Sequence, residues 1–79
     1  MNEKEAVQII KDALEQILGA DPGELTMDMN LVELELLDSL DIAEFVADID
    51  TRLGRKFVPD DEVDYDLFIM SNLVAKIAA

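Results

Sequence analysis

Ile42, Phe45, Val46, Ile49 and Leu53 form one narrow apolar stripe at 3.6-residue spacing. Asp38 stands before it as a good helix N-cap, and Gly54 stands after it as a good stop. This pattern predicts a helix from Ser39 to Leu53, and such a helix must bury its stripe against something else. Two further stretches supply the partners. Val7, Ile10, Leu14 and Ile17 recur at helical spacing, supported by Ile9 and Ala13. Asn2 and Glu5 form a variant of the capping box in front of them, and Gly19 fits the left-handed position behind. The expected helix runs from about Glu3 to Leu18. Met70, Leu73, Val74 and Ile77 define the third, from about Phe68 to Ala78. With only 3 Gly and 2 Pro in 79 residues, little interrupts these segments.

The connections are less regular. "GADPGELTMDMNLVELELL" opens on an Asp-Pro-Gly turn signal. Its Leu25, Met27, Leu31, Leu34 and Leu36 are expected to pin it onto the core, with a short turn of helix near Met29 to Glu33. A connection this long in a compact domain is often functional. In "RKFVPDDEVDYD", Phe57 and Val58 read as anchors, and Pro59 with Asp60 can open a short helix over about Asp61 to Tyr65. That helix would turn Val63 and Leu67 inward. The expected architecture is all-α: a small four-helix bundle, three main helices and one short one, with a long first loop and an aliphatic core. Residues 1–79 are expected to form a single domain, too short to bury a large core.

Charge and missing residue types exclude several functions. The net charge is -13, and twelve acids fall between Lys11 and Arg52 without a basic residue among them. Nucleic acid and anionic membranes carry the same sign, so neither is an expected partner. A protein with a basic patch is. Cysteine and histidine are both absent, which removes disulfides, thiolate chemistry, Ser-His catalysis and the usual zinc sites. No metal site is expected: "DDEVDYD" lacks the central glycine and spacing of an EF-hand loop. "MNEKEAVQII" does not read as a signal peptide and no apolar run approaches membrane-spanning length, so a cytoplasmic monomer without membrane insertion is expected.

Within this frame one serine stands out. Ser39 occupies the first position of the best helix. Helix N-termini present unpaired N–H groups and partial positive charge, which favour an attached anion. Ser39 could instead simply help Asp38 cap the helix. It is a poor nucleophilic catalyst, since no histidine can serve as its base and Lys4, Lys11 and Lys76 are remote in sequence. It is better suited to receive a group from another enzyme. At 100° per residue, Leu40, Ala43 and Ala47 fall opposite the apolar stripe, with Asp41, Glu44 and Asp48 beside them. The outer face is therefore apolar with an acidic fringe and has Ser39 at its top.

Asp38-Ser39-Leu40-Asp41, followed by Glu44-Phe45-Val46 in a small acidic chain, resembles the acyl carrier protein family. The similarity extends through the leading helix, the long first loop, Phe57-Val58-Pro59 before an acidic short helix, and the closing Leu73-Val74…Ile77 helix. Members of that family fold as four-helix bundles. The resemblance implies that a phosphopantetheinyl transferase, using coenzyme A and magnesium, attaches 4'-phosphopantetheine to Ser39. The terminal thiol of that arm then holds acyl groups as thioesters for enzymes of fatty-acid, lipid or related biosynthesis. The chain would be a non-catalytic carrier, and the thiol it lacks would arrive with the prosthetic group. By the same resemblance, Asp38 assists the transferase, while Leu40, Asp41, Glu44, Ala47 and Asp48 form the docking face for partners with basic patches.

The chain departs from the family pattern in places. Many members have glycine three or four residues before the serine, where this chain has Leu36 and Glu35. "LLDSL" resembles specialised or D-alanyl carriers more than the main fatty-acid carrier. Peptidyl carriers usually place histidine before the serine, where this chain has Asp38. Arg52, Arg55 and Lys56 make a basic cluster where the main carrier is often acidic. A specialised acyl carrier is the favoured expectation. An aminoacyl carrier, or an acidic interaction domain with an unmodified serine, are the alternatives.

Overall fold

The computed structural model describes residues 1–79. Three α-helices form, α1 (Glu3–Leu18), α2 (Ser39–Leu53) and α3 (Met70–Ala78), with 3-10 turns at Asp60–Glu62 and Tyr65–Phe68. No helix is long and apolar enough to cross a membrane. The all-α bundle with a long first loop is as expected from the sequence.

The first two helices begin and end where their caps dictate. At the start of α1, Asn2 accepts a hydrogen bond from the Glu5 amide at 2.8 Å. At its end Gly19 takes φ 70° and its amide donates to the Glu15 carbonyl. α2 closes with Gly54 at φ 70°, whose amide reaches the Thr51 carbonyl (3.3 Å) while the Arg55 amide reaches that of Asp50 (3.2 Å). That pair of bonds is the Schellman arrangement, and glycine suits it because it carries no Cβ.

α1 packs against both α2 and α3. Its buried seam is Ala6, Ile10, Ala13 and Leu14, and Val7, Ile9 and Ile17 lie on the margins. The two alanines keep this seam low, so neighbouring backbones can approach. In α2 only Phe45 and Ile49 are fully buried. Ile42, Val46 and Leu53, placed in the core stripe on sequence grounds, are partly buried at its edge. Phe45 meets Phe68 with ring centroids 6.3 Å apart, within the range of favourable aromatic pairs.

The long loop is part of the core. Leu31 and Leu37 are buried, and Leu25, Met27, Met29, Val32 and Leu36 pack against the same cluster. Leu34 was expected to join them and does not: it is 50% exposed. It lies on the outer side of a single tight turn, and a turn can point only one side inward. That turn follows Asn30 and is capped at both ends. The buried Asn30 side chain accepts from the amides of Val32 (2.9 Å) and Glu33 (3.0 Å). At the other end the Glu35 amide donates to Val32 and the Leu36 amide to Leu31, both at 3.0 Å. This is again the Schellman pattern, now with Glu35 in the glycine position at φ 62°.

The loop also builds the start of α3. That helix has no side-chain cap. Its first amides, Met70 and Ser71, donate to the loop carbonyls of Met29 (2.7 Å) and Met27 (3.0 Å). The Leu31 amide donates in return to Phe68, and Asn30 and Ile69 form an isolated antiparallel bridge. These contacts correct the expected helix boundary. α3 starts at Met70 rather than Phe68, because Leu67 and Phe68 belong to the second 3-10 turn. The short fourth helix is likewise two 3-10 turns instead of one run from Asp61 to Tyr65. Val63 is extended between them (φ -81°, ψ 94°), and Asp64 starts the second turn by accepting from the Leu67 amide. Val63 is partly buried and Leu67 fully, so the inward pair is as expected. Phe57 and Val58 are both buried anchors.

Candidate functional site

At the start of α2, one Asp38 carboxylate oxygen accepts from both the Leu40 and the Asp41 amides at 2.9 Å. The capping work is therefore done by Asp38. Ser39 stands exposed on the first turn of the helix, where aligned peptide dipoles favour negative charge. Leu37, immediately before Asp38, is buried and holds this corner to the core.

Three sides of α2 are distinguishable from this point. Leu40, Glu44 and Ala47 follow one another at helical spacing on the open face, and all three are exposed, Leu40 at 84%. Asp41 and Asp48 are only partly exposed. Asp48 pairs with Arg52 at 3.2 Å, and Arg52 also reaches the Asp12 carbonyl of α1 at 3.5 Å. Of the expected outer acids, Glu44 alone stands fully on the open face. Asp41 and Asp48 are at its edge.

The remaining side carries Ser39 and, one turn below it, Ala43. Ala43 lines an open groove of about 430 Å³ between α2 and the first 3-10 turn. Ile42, Val46, Ala47 and Val63 complete the apolar wall, and Asp50, Lys56 and Asp60 form a polar rim. Lys56 bridges to Asp60 at 2.7 Å across four residues. The hydrogen bond to Asp60 holds the Lys56 ammonium above its ordinary value of 10.5, with the negative charges of Asp60 and Asp50 adding to it. Asp50 also accepts from the Phe57 amide at 3.0 Å, which fixes the chain where it leaves α2. The open groove thus carries an ion pair on its rim and is apolar along the flank of α2 that holds Ala43, one turn from Ser39.

The basic cluster after α2 proves structural. Arg52 ties α2 to α1, Lys56 belongs to the groove rim, and Arg55 donates to the Ile77 (2.9 Å) and Ala79 (3.3 Å) carbonyls at the end of α3. Cations are favourable at a helix C-terminus, where carbonyls lack partners.

Sequence reasoning missed two features here. Asn30 is the one buried polar side chain, and besides its two capping bonds it donates to the Tyr65 carbonyl at 3.1 Å. An asparagine in front of a short helical turn is a cap signal that could have found it. Tyr65 in turn donates from its hydroxyl to Glu33 at 3.1 Å. Together these bonds lock the loop before Ser39 to the second 3-10 turn. The left-handed backbone of Glu35 had no local signal other than the absence of the family's glycine.

The small helical bundle thus presents an exposed serine at a capped helix start, beside an apolar groove. A family model described as the phosphopantetheine attachment site matches residues 8–66, three quarters of the chain, and the chain belongs to that family. Its prosthetic group is covalent 4'-phosphopantetheine, and a phosphopantetheinyl transferase is its implied partner. No match was found among curated proteins or among solved structures.

Proposed function

We propose that this chain is an acyl carrier protein in which Ser39 holds the 4'-phosphopantetheine arm. The reading rests on one observation: within the matched family span, Ser39 is an exposed hydroxyl on the first turn of α2, one turn from an apolar groove. The residues fit the group. A phosphodiester at a helix N-terminus is favoured by the helix dipole, and Asp38 already caps the helix, which leaves the Ser39 hydroxyl for reaction. In the loading step the Ser39 oxygen would bond to the phosphorus that bears the pantetheine arm, the P–O–P link of coenzyme A would break, adenosine 3',5'-bisphosphate would leave, and the hydroxyl proton would pass to a base of the transferase. The bound arm supplies a terminal thiol, which carries the acyl group as a thioester.

Leu40, Glu44 and Ala47 form the centre of the docking face, and Asp38, Asp41 and Asp48 contribute negative charge around it. Partners of this chain therefore present basic patches. The aliphatic groove wall of Ile42, Ala43, Val46, Ala47 and Val63 supports an acyl over an aminoacyl cargo, because only an apolar chain gains by leaving water there. Incubation with coenzyme A, magnesium and a broad-specificity transferase should add one arm to the intact mass. Ser39→Ala should abolish the addition. An arm that persists in Ser39→Ala would refute the assignment, and an aminoacyl mass on protein from its own cells would refute the acyl cargo.

A further inference from the structure

Two turns of this chain make the same Schellman bonds. At the end of α2 the left-handed residue is Gly54, φ 70°, and in the loop before Ser39 it is Glu35, φ 62°. Glu35 is the chain's single non-glycine residue with positive φ. The left-handed region is unfavourable for a residue with a Cβ, and least tolerable for residues other than Asn and Asp. Something must offset that strain or make the side chain worth keeping. Backbone hydrogen bonds close the turn around it, but no contact inside the fold uses the Glu35 side chain. Glu35 is exposed, and the four ion pairs, Lys11–Asp21, Arg52–Asp48, Lys56–Asp60 and Lys76–Glu62, leave it out. Its turn is rigid, since Asn30 caps one end and Leu36 and Leu37 are bonded back to Leu31 at the other.

We infer that Glu35 is a recognition residue, a second docking point on the loop side of Ser39 for the enzyme that loads the arm. Four residues of backbone span at most about 14 Å, so Glu35 is close enough to Ser39 for one interface of ordinary size to take in both. An enzyme that handles coenzyme A and approaches this acidic corner meets it with lysine or arginine. Glu35 and Glu44 then flank the serine from the loop and from α2. The 50% exposed Leu34 stands beside Glu35 as Leu40 stands beside Ser39. The inference rests on Ser39 being the attachment site.

Four proteins separate charge from strain: wild type, Glu35→Gly, Glu35→Gln and Glu35→Asp. Each is assayed for transferase kinetics against ionic strength and for its thermal melt. Glu35→Gly relieves the backbone and removes the charge, so its Tm should rise by a few degrees while kcat/KM at low salt falls about threefold. Glu35→Gln keeps the strain and should lose the same factor without a gain in Tm. Glu35→Asp tolerates the left-handed backbone, keeps the charge and should load at the wild-type rate. The losses should act on KM and shrink as salt rises. Wild-type kcat/KM in both Glu35→Gly and Glu35→Gln would overturn the inference, as would a loss in Glu35→Gly alone, which would assign the effect to the turn's backbone. A lower Tm in Glu35→Gly would remove the strain on which the argument stands. Wild-type protein that takes up no arm at Ser39 by intact mass would instead refute the proposed function.

Discussion

Asn30 shows how much of the site depends on one side chain remote from the serine. Its amide satisfies two backbone N–H groups of the loop turn and one carbonyl of the second 3-10 turn while only 6% exposed. Replacement by alanine would leave those groups short of partners in a place water reaches poorly. Lost caps and unsatisfied buried groups each cost about 1–2 kcal/mol. We therefore expect Asn30→Ala to lower stability in urea by about 2 kcal/mol. It should also slow loading of Ser39, because the turn that leads into Asp38 loosens. A variant with unchanged urea midpoint would mean that the loop is held by its leucines alone. Leu31, with Leu25, Met27 and Leu36 beside it, was legible as an anchor from the sequence, whereas the buried Leu37 was not singled out. The local half of the asparagine's role carried a cap signal in the sequence, but its bond to Tyr65, 35 residues away, did not.

Among the elements, α2 has to serve two surfaces with one helix. Phe45 and Ile49 are fully buried, while Leu40, Glu44 and Ala47 face outward. Glu44→Lys should keep the helical content and Tm, since exposed substitutions usually cost little. It should impair loading by a basic transferase, with a loss that shrinks as salt rises. Phe45→Ala removes a ring that is 0% exposed and packed against Phe68, and should destabilise by about 3 kcal/mol or more. Transferase kinetics and thermal melts of both variants check this. Unfolding of Glu44→Lys would mean the faces are assigned wrongly, and wild-type loading at low salt would remove Glu44 from the interface. Asp48 is a poorer probe than its sequence position suggests, because its pair with Arg52 links α2 to α1. The helical wheel placed it by angle alone and could not show that Arg52 would fold back over it.

Across the whole molecule the charge imbalance remains uncompensated. Four ion pairs stand against 19 acids, so most of the net charge of -13 acts as self-repulsion. Added salt or magnesium should raise the Tm, with most of the gain at low ionic strength where screening changes fastest. A flat Tm across moderate salt would show that the acids are too far apart to interact. The same field draws basic partners toward the chain, so conditions that stabilise the fold should also slow docking.

The sequence alone determined the helices whose caps and stripes are local. α1 and α2 run from Glu3 to Leu18 and from Ser39 to Leu53 as their spacing predicts, because Asn2, Gly19, Asp38 and Gly54 act within a few residues of themselves. It also determined the motif around Ser39, which is contiguous. Only the tertiary structure decided where α3 begins, since its first amides bond to Met27 and Met29, far back along the chain. The same holds for the groove. Ile42 and Val46 read as core residues by period, yet whether an edge residue is covered depends on how closely the 3-10 turns approach α2. That separation is set by contacts such as Asp50 with Phe57 and Lys56 with Asp60, and no hydrophobic period records it.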